Sequence, residues 1–573
     1  MSVRRVTIVV AAALLLLTTL ATGVPSTAPT ADRPLASPAT GPTGPGCVPA
    51  HETSAETDLE SVRVVELYPN PTTFNNAGEF VVLEAPPETD LESWTLTDGH
   101  TTAEFPNVTV SGRIAASTEP EITDELTDDP VLGLDGAIRL AVDGDELELR
   151  NGTETVDAVA YDEAPLAQRW HRTSDDLDGD GRWTPRDGTC FSTARIDAET
   201  ATTFVLPDSP AVPLETIRDA DDRLLLAGYT LTSPAVETAL VEASDRGVEV
   251  AVLLESGPVG GTPAATGSMI ERLEDAGVEV RMIGGEGARY RFHHPKYAVV
   301  DDRVLVTSEN WKPSGIGGES SRGWGVRIGD ESLATELETV FRADFEGWDT
   351  QSGSTFRQSA TFVENDGVSS PSEFETVHEA ATVPVDSVEL LVAPDNADRR
   401  LAELLADADD EILVKQASIA DDVVVLEETL AAARRGVDVR ILLDSTWYNE
   451  DENAALADDL EAIAATEGLS LEAKLVEDSD RFEKVHAKGV VIDREIAVVG
   501  SANWNDNAFE NNREVLVALH SGAAGEYFAA VFEADWNGGV WSLPIELSVT
   551  VVALLVGAAL LGRRYVRFGD RNP

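Results

Sequence analysis

The chain has 573 residues, too many for one ordinary core, so two to four domains are expected. It carries 42 Lys+Arg against 103 Asp+Glu, a net charge of −61 spread along its whole length, and only six of the basic residues are lysine. With 42% hydrophobic residues in strand and helix periods, this excludes an acidic disordered tail and describes a folded protein hydrated in molar salt, as expected of a halophilic archaeon.

Residues 1–23 read as an export signal: Arg4 and Arg5, an apolar run over 6–21, then small residues. An uncleaved signal anchor is the alternative. Residues 24–60 are a Pro/Thr/Ser-rich linker with no core of its own. Residues 61–165 alternate apolar and polar over 62–67, 79–84, 94–96, 138–142 and 146–150, with turn residues between, which predicts a run of short strands. Residues 166–209 read as an acidic linker. Within it Asp176, Asp178, Asp180 and Asp187 have the spacing of a calcium loop, with Gly181 at the sixth position. Chance Asp-Gly strings in an acid-rich chain are the rival reading. Cys47 and Cys190 suit either one disulfide or two free thiols, and Asn107 and Asn151 head glycosylation sequons.

An internal repeat fills the remainder, over 210–350 and 385–540 with a linker at 351–384. The segment RGVEVAVLLES at 246–256 recurs as RGVDVRILLDS at 435–445, each time after a helical stretch. A helix leading into a buried strand predicts α/β layers. About fifty residues later the first copy reads His294-Pro295-Lys296, then Asp301, then Ser308-Glu309-Asn310-Trp311. The second reads His486-Ala487-Lys488, then Asp493, then Ser501-Ala502-Asn503-Trp504. His and Lys two apart on a strand point to one face, so an imidazole and an ammonium can meet one phosphate. Residues 541–562 are almost wholly apolar, with Glu546 the one charged residue, and about long enough to cross a bilayer. Arg563, Arg564 and Arg567 follow, which predicts a cytoplasmic tail at 563–573 and everything before the helix outside.

The repeated segments closely resemble the phospholipase D superfamily, whose signature is His-x-Lys, four residues, Asp, then Gly-Ser-x-Asn. Segments at 64–71, 78–81, 90–98 and 156–161 are similar to the lamin-tail domain. Together the resemblances imply an α/β protein: two fused phospholipase D-like α/β sandwich domains, preceded by an immunoglobulin-like β-sandwich, with a C-terminal transmembrane helix. They also imply phosphodiester cleavage or exchange through a phosphohistidine, with no metal in catalysis and at most a structural calcium. His294, Lys296, Asp301, His486, Lys488, Asp493 and Glu514 are the implied catalytic residues, and Ser308, Asn310, Ser501 and Asn503 the implied phosphate ligands.

The first copy departs from this pattern. Thr307 replaces Gly, the hairpin is one residue shorter, and no acid stands at 321–323 where the second copy has Glu514. The substrate is left open between phospholipid and nucleic acid, with a non-catalytic adhesion protein as a third reading. Neither an apolar entry loop for a lipid nor a stacking set of aromatics for a nucleic acid is legible. The oligomeric state is not readable from sequence.

Overall fold

The computed structural model describes residues 61–173, 181–364, 374, 376–476 and 481–538. The expected export signal, first linker, transmembrane helix and tail lie outside these residues, as do Cys47, Asp176, Asp178 and Asp180. Among the described residues no helix is long and apolar enough to cross a membrane.

The N-terminal part is a sandwich of two sheets. One runs Gly181–Pro185, Gln168–Arg172, Arg63–Tyr68, Phe80–Asp90, Thr109–Ser117, Val131–Gly133; the other Asp135–Gly136, Thr102–Glu104, Trp94–Thr97, Asp145–Asn151, Glu154–Tyr161. Alternating apolar residues from both sheets make one core, including Leu67, Val81, Leu83, Leu96, Leu147 and Val159. The strand expected over 138–142 does not form. Side chains satisfy that backbone instead of a ladder: Leu140 N donates to Glu79 (3.1 Å) and Ala141 O accepts from Tyr161 (2.9 Å).

The expected linker at 166–209 is mostly structured. Its first two strands complete the sandwich, Ala194–Ile196 pairs with Ser387–Ala393, and Thr200–Leu206 pairs with Ser321–Gly329. Cys190 is disulfide-bonded. Asp187, the last of the expected calcium ligands, faces Arg169 (3.4 Å) and Arg186 (3.2 Å).

The two repeats fold into two sheets of the same order. In the first, Glu279–Ile283, Glu249–Glu255 and Arg223–Gly228 are parallel, and Tyr297–Val300, Arg303–Thr307, Ser321–Gly329 and Thr200–Leu206 continue antiparallel. In the second, Leu471–Leu475, Asp438–Leu443, Glu411–Gln416, Lys488–Ile492, Ile496–Gly500, Glu514–His520 and Ser387–Ala393 repeat that order. Helices cover each outer face. The inner faces share one core, filled by Glu331–Phe345 and Gly522–Trp536, in which Val304, Trp324, Leu337, Val499, Val515 and Phe528 meet. Strand exchange ties the halves together: Ala194–Ile196, ahead of the first half, edges the second sheet, and Ala381–Pro384, ahead of the second half, edges the first.

Candidate active site

Each motif histidine ends an extended segment that is held by the opposite half. His294 N donates to Arg513 O, and His486 N donates to Arg322 O, both at 3.0 Å. Lys484–Val485 pairs in parallel with Ser321 and Arg322, and His293 bridges Arg513 in the same sense. The repeated segments supply the matching braces. Glu255 accepts from His293 N (2.7 Å), and Asp444 accepts from Val485 N (2.8 Å). These two acids occupy the same offset in the repeat, which was the available signal for them.

The arginines that hold the histidines are themselves buried across the interface. Arg513 pairs with Asp344 (2.9 Å) and Asp395 (3.3 Å), while Arg322 pairs with Asp535 (3.1 Å) and Asp208 (2.6 Å). Asp344 and Asp535 end the two helices of the central layer, each contributed by the half opposite its arginine.

The histidine–carboxylate pairs are crossed as well. His294 Nδ1 lies 2.8 and 3.0 Å from the two oxygens of Glu514. A carboxylate only accepts, so Nδ1 carries the proton and Nε2 keeps its lone pair. Asn512 Nδ2 also donates to Glu514 (3.2 Å). His486 Nδ1 lies 3.3 Å from Oε2 of Glu309, a close contact whose alignment falls short of a hydrogen bond. No acid stands at 321–323, as the sequence indicates, and Glu309 of the first half faces His486 from a different position. Thr307 pairs with Gly325 as Gly500 pairs with Leu516, so Gly323 stands where the second half has Glu514. A Cβ at Gly323 would come within 2.2 Å of Glu309 Cγ. The carboxylate has moved from the strand to the hairpin, and the glycine leaves it room.

Lys296 and Lys488 are buried, and each Nζ donates to the carbonyl of its own motif histidine, Lys488 at 2.9 Å. Burial drives both ammoniums down, Lys488 to about 8. Burial, with Lys296 adding to it, also lowers His294 to about 4 although Glu514 opposes the shift. His486 falls well below the usual range through burial and the neighbouring lysines. Both imidazoles are therefore neutral at neutral pH. Burial raises Glu309 to about 7 against the pull of four lysines. Asn310 and Asn503 each carry a buried amide oxygen without a hydrogen-bond partner, at equivalent positions. Because amide O and N are assigned from their partners, each group is an uncommitted polar end at the site.

Two sequence assignments are corrected. Asp301 and Asp493 lie at the far ends of their strands, in left-handed turns with φ of 53° and 51°. Asp301 accepts from the backbone of Asp221, Asp222 and Arg223, and Asp493 from that of Asp409, Asp410 and Glu411. They stitch the sheet and take no part at the histidines. Ser308 and Ser501 turn inward: Ser308 Oγ accepts from Trp324 N (3.0 Å), and Ser501 Oγ accepts from Val515 N (3.1 Å) while donating to Val515 O (3.3 Å). They brace the strands flanking Gly323 and Glu514, and Ser501 also hydrogen-bonds the Glu514 carboxylate.

The family described as cardiolipin synthase, PLD-like domain, matches residues 214–345 and 401–536. Both halves are thus similar to phospholipase D-like domains over these residues. Cardiolipin synthase A of Pseudomonas aeruginosa is 26% identical over 313 residues, which cover 52% of this chain and 58% of that protein. Cardiolipin synthase B of Salmonella typhimurium is 24% identical over 340 residues, covering 54% and 73%. The mitochondrial cardiolipin hydrolase of Xenopus tropicalis is 37% identical over 93 residues, covering 16% and 40%. The chain thus spans little more than half the length of the Pseudomonas relative. The crystal structure of a phosphatidylserine synthase of Haemophilus influenzae aligns with 60% of this chain and 87% of its own, at 14% identity and a TM-score of 0.45.

The phospholipase D-like halves differ around their histidines. Tyr229 packs edge-on to His294 (4.6 Å between centroids) and under Lys296 Nζ (5.5 Å). The equivalent position in the second half is Ala417, because Gly228 pairs with Leu254 as Gln416 pairs with Leu443. Tyr229 lies outside both motifs, so motif spacing gave no sign of it.

Proposed function

We propose that the chain is a phosphodiesterase in which His294 attacks phosphorus and the His486–Glu309 pair supplies the proton. The crossed bonding of His294 to Glu514 carries this reading, since it fixes the tautomer that leaves Nε2 free. Nε2 forms the P–N bond as the bond from phosphorus to the leaving oxygen breaks, and that oxygen takes the proton from the His486–Glu309 pair. Water, deprotonated by the same pair, then displaces His294; an alcohol in its place gives exchange. Lys296, Lys488, Asn310 and Asn503 stabilise the charge that develops on the equatorial oxygens.

The substrate proposed is a phospholipid. Trp447 and Tyr448 are 85% and 51% exposed, with rings 5.6 Å apart, on the turn that leaves Asp444 beside the His486 segment. Val259, 78% exposed, lies on the equivalent turn after Glu255, where its N–H meets the Tyr229 hydroxyl (2.5 Å). An apolar rim is therefore present where none was legible in the sequence, and exposed aromatics of this kind favour the water–lipid interface. The proposal also places the enzyme outside the cell, tethered through 541–562, with a sandwich of lamin-tail type. The test gives the purified protein labelled polar lipids, DNA and RNA in parallel in molar salt. Lipid cleavage or exchange is expected, and nucleic-acid cleavage with intact lipids overturns the substrate.

A further inference from the structure

Asn107-Val108-Thr109 and Asn151-Gly152-Thr153 are the only Asn-x-Ser/Thr triplets in the chain, apart from Asn70-Pro71-Thr72, which its proline disqualifies. The catalytic reading uses neither. Far apart in sequence, the two meet at one corner of the N-terminal sandwich, where Leu91, Glu92 and Ser93 join Phe80–Asp90 to Trp94–Thr97. Leu91 N donates to the carbonyl of Val108, the middle residue of one triplet (3.0 Å). Ser93 O accepts from the N–H of Gly152, the middle residue of the other (3.1 Å). Trp94 is the register partner of Asn151, and its carbonyl accepts from Phe105 N, two residues before Asn107 (3.0 Å).

Both triplets are presented outward. All six of their residues are exposed. Among the described residues, neither asparagine amide and neither threonine hydroxyl has a hydrogen-bond partner. Asparagines that serve the fold are engaged by contrast, as Asn70 Nδ2 is with Ala164 O (2.9 Å) and Asn453 Nδ2 with Ala417 O (2.8 Å). Asn107 sits on irregular chain between two strands. Asn151 opens the two-residue turn into Glu154–Tyr161, where Gly152 takes a φ of 60°. Gly152 has no heavy atom within 4 Å of where a Cβ would stand, so the turn faces open space.

The corner is also remote from the catalytic halves. The sandwich meets them at its other end: a Cβ at Gly287 would come within 2.6 Å of Thr72 and 3.0 Å of Ala167, and Trp348 Nε1 donates to Arg186 O (3.3 Å). Those contacts lie where Phe80–Asp90 begins and Glu154–Tyr161 ends. The triplets lie where these strands have their opposite ends, roughly 25 Å away over the eight residues of Glu154–Tyr161. Bulk added at the corner therefore meets neither the docking contacts nor the histidines.

We propose that Asn107 and Asn151 are N-glycosylation sites whose two oligosaccharides cap the free end of the sandwich. This rests on the outward placement proposed above. The donor is an oligosaccharide joined through phosphate to a membrane lipid. Each Nδ2 bonds to the anomeric carbon of the first sugar as that carbon's bond to the phosphate oxygen breaks; Nδ2 gives up one proton, and the lipid phosphate leaves. The transfer needs an amide that no protein group holds, on chain that projects from the surface.

Glycopeptide mass spectrometry on the full-length protein, purified from the membranes of its own cells, tests this. Sugar increments are expected on the peptides that hold Asn107 and Asn151. Asn107→Gln and Asn151→Gln are each expected to remove one increment from the intact mass and leave the other. Thr109→Ala and Thr153→Ala are expected to do the same with the asparagine still present. Unmodified asparagines in the wild-type protein overturn the proposal, and increments that survive the threonine variants overturn the triplets as their cause. Protease added to the intact cells separates the two readings. An unmodified chain that is cut fails the glycans alone, whereas an unmodified chain that is shielded fails the outward placement with them.

Discussion

Glu309 reaches His486 from the opposite half, in the space that Gly323 leaves open. The second half solves the same problem the other way, with Ala502 in the hairpin and Glu514 on the strand. The exchange is therefore testable as a swap. Glu309→Ala is expected to lower kcat about 10–100-fold, the usual effect of losing a group that orients a catalytic histidine. Gly323→Glu alone is expected to destabilise, because its Cβ meets Glu309. The double variant is expected to regain most of the lost activity and the basic limb of the pH profile. A double variant no better than Glu309→Ala refutes the equivalence of the two positions.

The pH profile of kcat/KM follows from the free site. His294 must be unprotonated to attack, and burial holds it down at about 4, so activity is lost as pH falls through about 4. The proton for the leaving oxygen rides on the His486–Glu309 pair, and burial raises Glu309 to about 7. Lys488, lowered to about 8 by burial, loses its charge soon after. The expected profile is a plateau from about 4 to about 7, then a composite decline. A profile still rising above pH 8 contradicts these roles.

The repeat, the same-face histidine and lysine, and the α/β class were legible because strand periodicity and chain-local spacing encode them. The crossed partners were not. Glu514 faces His294 across the interface, and the sequence places it in the same copy as His486. Glu309 sat within the recognised Ser-x-Asn segment, but only the register Thr307 to Gly325 reveals that its acid replaces one lost at Gly323. Motif membership does not say at which end of a strand a residue falls, so spacing alone groups Asp301 and Asp493 with the histidines. The strands Gln168–Arg172 and Gly181–Pro185 look like linker in the sequence because Trp170 and Trp183 reach the apolar core while most of their other residues are polar, engaged in pairs such as Arg172 with Asp157 (2.7 Å).

Replacing either histidine by alanine is expected to cost about 100–10,000-fold or more in turnover, since one attacks and the other belongs to the proton pair. The two variants differ in what accumulates. His486→Ala retains the nucleophile, so a phosphorylated protein is expected to build up with an activated substrate; His294→Ala is expected to show none. Phosphate trapped in the His294→Ala protein instead reverses the assignment. A chelator is expected to leave turnover unchanged, because ammonium groups supply the charge a cation would otherwise provide.

The interface ion pairs set stability. Asp344→Asn or Asp535→Asn leaves a buried arginine with reduced countercharge, which is expected to cost about 3–5 kcal/mol in denaturant unfolding. Burial alone would raise both carboxyls, but Arg513 and His293 at Asp344, and Arg322 and Lys415 at Asp535, outweigh it and hold them low. Glu389 behaves alike: burial opposes, yet Arg400 and His520 lower it from 4.5 to about 2. A folded pKa below the unfolded one stabilises above the unfolded value, and the gain is lost as pH falls through the folded value. Glu389 therefore loses its contribution between about pH 4 and about pH 2, so stability is expected to fall across that window. Glu389→Gln is expected to flatten that part of the curve.

The last prediction concerns the rim. Trp447 and Tyr448 leave the fold next to Asp444, whose carboxylate positions the residue before His486, so whatever their rings touch lies beside the reaction. Aromatic side chains settle at the headgroup level of a bilayer, where the ring is partly desolvated and its polar edge stays wet. The acidic run from Glu450 to Glu452 follows directly and keeps the start of the next helix from sinking further. Trp447→Ser with Tyr448→Ser is therefore expected to weaken flotation with lipid vesicles and to reduce turnover of vesicle lipids at least several-fold more than turnover of a water-soluble phosphodiester. The same loss on both substrates would mean that the pair shapes the site itself. Unchanged flotation and vesicle turnover would remove the rim as an argument for a lipid substrate.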